Sequence, residues 1–172
     1  MCIRDRLTPP ISFDLPALAR AAEAVVRTSC VGEALSVPLL AATRKAATHP
    51  LTHAVLDRIV RDESRHARLG WLFLEWAGDR LDAAERERLA SVVLAALRDE
   101  ASTWRGLTSR VRDGVTSEGF LLAHVHDLGW MVSEAYVAEA ERAVRLDVIA
   151  PLARFGIEIP LPEVDALFGE AA

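Results

Sequence analysis

Several features that mark common classes of protein are scarce in this sequence. It has only two cysteines, Cys2 and Cys30, which are too few for a disulfide framework. Its net charge of −5 leaves no basic footprint for nucleic acid. The longest strongly apolar run, Leu89 to Leu97, is far shorter than the roughly 20 residues of a membrane span. We therefore expect no nucleic acid as a partner and no membrane-spanning segment.

Long β-branched runs are also missing, which favours an all-α protein. Alanine, leucine, arginine and glutamate dominate, and hydrophobic residues make up 51% of the 172 positions. This length suits one domain with a sizeable core, and we predict an antiparallel helical bundle. Its predicted parts are a helical domain over 14–156, with a hairpin over 14–78 and further helices over 82–156, and a tail over 157–172.

The first residues stand apart from this domain. Met1 to Arg6 resembles the translated adaptor sequence seen at the ends of chains read from metagenomic DNA, and Leu7 to Phe13 contains two consecutive prolines that block a helix. We interpret residues 1–13 as a scar and a linker. Upstream helices and any targeting segment are then missing from the chain, and a cytoplasmic location is only the default expectation.

Two long helices are predicted in the first half of the chain. Asp14 is a favoured N-cap residue for the first, which runs over about 14–48. Pro38 is expected to kink it. The second helix is predicted over Pro50–Ala77, because proline suits the first turn of a helix.

Two more helices are predicted in the second half. Asp82 is the expected cap of a third helix over about 83–104. The charges of Glu85 to Arg88 and of Arg98 to Glu100 predict a solvated face on this helix. Ser133 is the candidate cap of a fourth helix over about 134–155.

Glu63 and His66 form the pattern with the most chemical information. Residues three apart on a helix share a face, and this face otherwise continues the apolar ladder of Leu56, Ile59 and Gly70. Burying a carboxylate among apolar neighbours costs several kcal/mol unless it is paired or bound to a cation. A metal ion is the sharpest candidate for what compensates this cost.

Glu33 occupies an equivalent place on the first helix, one turn after Cys30 on its apolar ladder. Counted from a turn at His49, Glu33 lies 16 residues before the turn. Glu63 and His66 lie 14 and 17 residues after it. Two antiparallel helices of equal rise bring these three side chains level with one another. The spacing therefore predicts one shared site.

Three neighbours are candidates for a supporting role. Cys30 is expected to be a small buried residue that lines the site, with a thiolate ligand as the alternative. Asp62 or a backbone carbonyl is a candidate to orient the ring of His66 through a hydrogen bond. Arg65 is expected to pair at the surface with Asp62 or Glu63.

The residues around these candidate ligands resemble those of a known family. The Cys-Val-Gly-Glu context of Glu33, followed by Asp-Glu-Ser-Arg-His-Ala over 62–67, resembles the ferritin-like di-iron-carboxylate superfamily, in particular bacterial ferritin-like domain proteins. The resemblance covers about residues 14–77. It implies a ferritin-like half-bundle and an iron (or manganese) centre, in which Glu33 and Glu63 bind or bridge metals and His66 caps one. The implied activity is a ferroxidase, peroxidase or oxygenase reaction, with no catalytic residue or substrate assigned.

The chain carries only one of the two ligand sets that such a site needs. The family takes a Glu from each of two helices and a Glu-x-x-His from each of the other two. No other histidine of this chain has a glutamate three residues before it. Either missing N-terminal helices supply the second set, which we favour, or two chains dock as a homodimer and duplicate each ligand.

Two interpretations without a metal also stay open. In a non-catalytic bundle, Glu33, Glu63 and His66 would satisfy one another by hydrogen bonds. In an interaction module, the chain would complete the bundle of a partner, which predicts a large exposed apolar face on the first two helices.

Overall fold

The computed structural model of the protein describes residues 14–105, 111–112, 115–116 and 119–169. Within them the chain is an all-α bundle of six helices, four of them long. The helices are α1 (Ala17–Ala46), α2 (Pro50–Ala77), α3 (Ala83–Glu100), α4 (Leu122–His126), α5 (Ser133–Ala143, continued by Val144–Ile149 and Ala150–Ala153) and α6 (Leu161–Asp165). Two short strands, β1 (Val111–Arg112) and β2 (Val115–Thr116), pair antiparallel between α3 and α4. The predicted scar and linker lie outside the described residues.

The predicted hairpin of two long helices is present. The chain turns between α1 and α2 at 47–49, where the backbone N–H groups of Thr48 and His49 donate to the carbonyl of Asp127 at 3.0 and 2.8 Å. Pro50 opens α2, as the sequence predicts. The N-cap prediction for Asp14 is wrong, because α1 begins later, with Pro16 in the N-cap position and no side-chain cap.

One stretch of α1 departs from α-helical geometry. Residues Val26–Glu33 form a π-helical segment, in which each N–H bonds to a carbonyl five residues back instead of four. Such segments occur often at functional sites, and this one ends at Glu33. The helix then continues through Pro38 to Ala46.

Helix α1 is the centre of the bundle. Its first half and its π-helical segment contact α3, its second half contacts α5, and α2 packs along it. Val26, Cys30, Val31 and Leu35 of α1 are almost completely buried in the core. Helix α2 lies at the edge of the bundle, because its main partner is α1 alone.

Buried charges, as well as apolar contacts, join α1 to α3. Asp82 caps α3 as predicted, and its carboxylate accepts from the N–H of Glu85 at 2.8 Å. The prediction of a solvated face is wrong for Arg88, which donates to the buried carboxylate of Glu23 at 2.6 Å and also pairs with Glu85 at 2.7 Å. The periodicity of α3 does not reveal this ion pair, because the guanidinium of an arginine enters the core only where a carboxylate of another element can pair with it.

The start of α5 differs by one residue from the prediction. Ser133 is the first helical residue and makes no capping bond, while Val132 occupies the N-cap position. The predicted cap is therefore wrong. The helix includes a second π-helical stretch, Val144–Ile149, just before Pro151.

Residues 157–169, predicted as a tail, contribute side chains to the core. Ile157, Val164 and Leu167 are at most 1% exposed. The indole N–H of Trp104 donates to the carbonyl of Leu167 at 3.1 Å, and its ring stacks on Phe168 with centroids 5.3 Å apart. The C-terminal segment thereby closes the end of α3.

Among the described residues, one helix is long and apolar enough to cross a membrane, namely α1. A helix at the centre of a helical bundle meets the same criteria of length and composition. Here α1 contributes some of the most deeply buried side chains of the core.

Candidate metal site

The three predicted ligand residues meet where α1 packs on α2. One donor atom each from Glu33, Glu63 and His66 lies within 4.8 Å of the other two. In the described part of the chain, this is the only group of three such side chains close enough to share a metal ion. The turn at 47–49 sets the register that places them level, as the spacing along the sequence predicts.

The three side chains influence one another. The ring Nδ1 of His66 lies 3.2 Å from a carboxylate oxygen of Glu63. Burial, followed by a hydrogen bond and charge repulsion from Glu63, raises the pKa of the Glu33 carboxyl, although His66 and Ser36 oppose the rise. The direction of this shift is what a neighbouring carboxylate and partial burial produce together.

The site is less buried than the apolar ladders predict. The side chain of Glu63 is 29% exposed and that of His66 is 63% exposed. The expectation that His66 is buried is therefore wrong. His66 is exposed because α2 packs on α1 at the edge of the bundle, and no other described helix covers the outer side of α2. The cluster is open on that side.

The supporting roles predicted for two neighbours are also wrong. Asp62 does not orient His66, because its carboxylate pairs with Arg58, one turn earlier, at 3.1 Å. Arg65 is exposed and forms no ion pair with Asp62 or Glu63 within the described residues. Both side chains thus lie on the surface of α2 beside the site.

Cys30 is the buried residue that the sequence predicts. It is completely buried, and burial raises the pKa of its thiol to about 12. A free thiolate is disfavoured in such surroundings, and Cys30 is not among the three residues whose donor atoms converge. The side chain acts as packing between α1 and α2.

Gly70, one turn after His66 on α2, has a role that the sequence analysis missed. A methyl group there would lie 2.6 Å from the Cys30 sulfur and 2.9 Å from the Ser29 Cβ. Only glycine therefore lets the two helices approach this closely beside the site. The sequence does give one sign of this close approach, namely a glycine at a position where the apolar ladder of α2 calls for a larger side chain.

The exposed apolar face expected of an interaction module is present on only one helix. Within the described residues, the large exposed hydrophobic side chains of the hairpin all belong to α2: Leu51, Val55, Leu69, Leu72 and Trp76. Leu69 and Leu72 lie within two turns of His66, on the open side of the bundle.

No protein-family model matches the chain, and no curated protein or solved structure matches it. The functional assignment therefore depends on the geometry of the site.

Proposed function

We propose that Glu33, Glu63 and His66 form half of a di-iron site, which a second set of glutamate and histidine ligands completes. The observation that carries the proposal is the convergence of their three donor atoms within 4.8 Å. The second set comes from another copy of this chain in a homodimer or from a further helix pair. This protein is then a ferritin-like metal-binding protein with an iron-dependent redox activity.

The donor set fits iron or manganese. Carboxylate oxygens and an imidazole nitrogen are the ligands these metals take in proteins. The Nδ1 of His66 already contacts Glu63, which leaves Nε2 free to bind a metal. Bound iron would supply O₂- or peroxide-linked redox chemistry of the ferroxidase, peroxidase or oxygenase type.

Proton release accompanies metal binding in this proposal. The pKa of the Glu33 carboxyl is raised, and a carboxyl group must be deprotonated to bind a metal. The exposed side of His66 gives the released proton a path to solvent.

The open side of the cluster supports a site shared between two helix pairs. A twofold axis beside α2 would bring two copies of Glu33, Glu63 and His66 together, giving four carboxylates and two imidazoles. The same docking would cover the exposed Leu69 and Leu72 next to the site.

An anaerobic Fe(II) titration of the purified chain tests the proposal. We expect saturation at about one iron per chain, as for two irons shared by a dimer, with sedimentation showing that the dimer forms. A chain that binds no iron above background would exclude a site rebuilt by two copies. Iron bound by the monomer alone would contradict the shared site.

Two double variants locate the binding. Glu63→Ala with His66→Ala should abolish iron binding, whereas Asp62→Ala with Arg65→Ala, in the same turns of α2 but outside the cluster, should leave the stoichiometry unchanged. Equal losses in both variants would mean that the effect comes from damage to α2.

A metal-free polar cluster is the second candidate, because His66 already contacts Glu63 at hydrogen-bonding distance and Glu33 lies beside both. The stability of the apo protein separates the two functions. If the cluster serves only to hold the helices together, Glu63→Ala with His66→Ala lowers the free energy of unfolding. If the residues serve a metal, removing them leaves apo stability unchanged or raises it.

A further inference from the structure

A cavity lies between the second half of α1, the start of α5, and α4 with the loop that follows it. Its volume is about 410 Å³, within the range of small-molecule sites. Much of its wall comes from α4 and the loop that joins it to α5, through Val125, Leu128, Trp130 and Met131. These side chains make the cavity mainly apolar.

A second cavity of about 290 Å³ adjoins the first. Thr43, Thr103 and Tyr136 line both. The second cavity continues along α1 past Leu35 and Leu39 and ends against Glu100, the last residue of α3. We call the two together the α1–α5 cleft.

The loop that forms one wall of the α1–α5 cleft fits tightly on α1. Gly129 has a φ of +91°, and a methyl group there would lie 2.5 Å from the carbonyl oxygen of Thr43. A side chain at this position would push the loop off α1. This wall of the cleft is therefore packed directly against α1.

Most polar groups along the cleft are already satisfied by neighbouring backbone. The hydroxyl of Thr43 donates to the carbonyl of Leu39 at 2.9 Å, and that of Thr103 donates to the carbonyl of Glu100 at 2.8 Å. In the described structure, the carboxylate of Glu100 and the phenol of Tyr136 have no hydrogen-bond partner.

Glu100 is a half-buried carboxylate without a cation. Burial and the nearby charge of Asp99 raise its pKa. Asp99 itself pairs with Arg27 at 3.1 Å, and no ion pair reaches Glu100 within the described residues. Among the described residues that line the cleft, Glu100 is the only one with an ionisable side chain apart from Tyr136 with its phenol. A cationic ligand group would relieve this desolvated charge, whereas an anion would be repelled.

We infer that the α1–α5 cleft binds a small apolar amine, with its hydrocarbon or aromatic part between α4 and α5 and its ammonium group at Glu100. The ammonium donates to the carboxylate, and the ring of Tyr136 borders both halves of the ligand. Four largely apolar residues at one end and a single unpaired carboxylate at the other define this ligand class. The inference is independent of the proposed metal site.

Calorimetric titration with three matched probes tests this inference. The probes are 4-phenylbutylamine, 4-phenylbutan-1-ol and 4-phenylbutyrate, which share one apolar part and differ in the charge of the head group. The amine should bind about tenfold more tightly than the alcohol, as expected of a charge-assisted contact in partly buried surroundings. The carboxylate should bind most weakly. Equal affinities of amine and alcohol, or no binding of the amine, would overturn the inference.

Conservative variants locate the contact. Glu100→Gln should remove the preference for the amine and leave the affinity of the alcohol unchanged. Glu87→Gln, which neutralises an exposed glutamate of the same helix outside the cleft, should leave the preference intact. A preference that survives Glu100→Gln would overturn the assignment. Trp130→Phe should remove most of the tryptophan fluorescence change on amine binding, and a change that persists would place the amine elsewhere.

Discussion

Cys30 shows what burial does to the chemistry of a single side chain. Its sulfur lies between α1 and α2 and is completely enclosed. With a pKa of about 12, roughly one thiol in 10⁴ is ionised at pH 8. The thiolate is the reactive form, so this cysteine should be inert in the native protein.

Thiol labelling measures this directly. In a Cys2→Ser background, which leaves Cys30 as the single cysteine, a disulfide reagent at pH 8 should react at least about a hundredfold more slowly with the native chain than with the chain in urea. The urea sample is the internal control. Similar rates in both would show that the α1–α2 seam opens freely in solution.

For single residues, the sequence predicted which side chains lie close together better than it predicted how exposed they are. The register around the turn placed Glu33 beside Glu63 and His66, because equal helical rise is a strong geometric constraint. Exposure depends on which further element packs over α2, and the periodicity of one helix carries no such information. The interactions predicted for Asp62 and Arg65 are absent for a different reason. Asp62 forms an ion pair with Arg58, one turn earlier on the same helix, and the sequence did not show which of several nearby charges it would choose.

The close approach of α1 and α2 depends on Gly70. Its missing side chain allows the sulfur of Cys30 to sit where a methyl group would lie 2.6 Å away. Interhelical distance beside the candidate site is therefore set by one residue of α2 and one of α1.

Gly70→Ala should lower the free energy of unfolding by about 1–3 kcal/mol, because the added methyl overpacks the seam. Gly78→Ala is the matched control. Gly78 has helical dihedral angles and nothing within 4 Å of an added methyl, so this change should be neutral or stabilising by about 0.4–1 kcal/mol. Urea unfolding followed by circular dichroism gives both values, and equal effects would mean that the seam tolerates wider spacing.

Helix starts show where local sequence suffices. Asp82 was predicted correctly as a cap, because a capping bond joins residues only three apart. Asp14 and Ser133 are also favoured N-cap residues, yet neither caps a helix. Pro16 and Val132 take those N-cap positions, so the residue type alone did not fix where each helix begins.

The bundle as a whole is closed by its C-terminal segment. Residues 157–169 place Ile157, Val164 and Leu167 in the same core as α1 and α3. The sequence predicts only a tail here, whereas the segment buries single side chains that are spaced along it. Short elements lack the periodicity that would reveal them.

Leu167→Ala should destabilise the whole protein by about 2–5 kcal/mol, as expected for a cavity in a packed core. Leu167 is 1% exposed, whereas Leu161, in the same segment, is 59% exposed. Leu161→Ala should therefore change stability by no more than about 0.5 kcal/mol. Thermal unfolding of both variants compares them. If Leu167→Ala is as mild as Leu161→Ala, the segment is not part of the cooperative unit.

The π-helical segment Val26–Glu33 changes the direction in which the apolar side chains of α1 point, so that this direction differs between the two halves of the helix. Each of its hydrogen-bonded turns takes one residue more than an α-helical turn, so the apolar stripe changes direction along the helix. The first half can thus face α3 while the second half faces α5. Deleting one residue from the segment would turn Glu33 by about 100° away from α2. The number of residues in this segment, rather than the identity of any one of them, aims Glu33 at its partners.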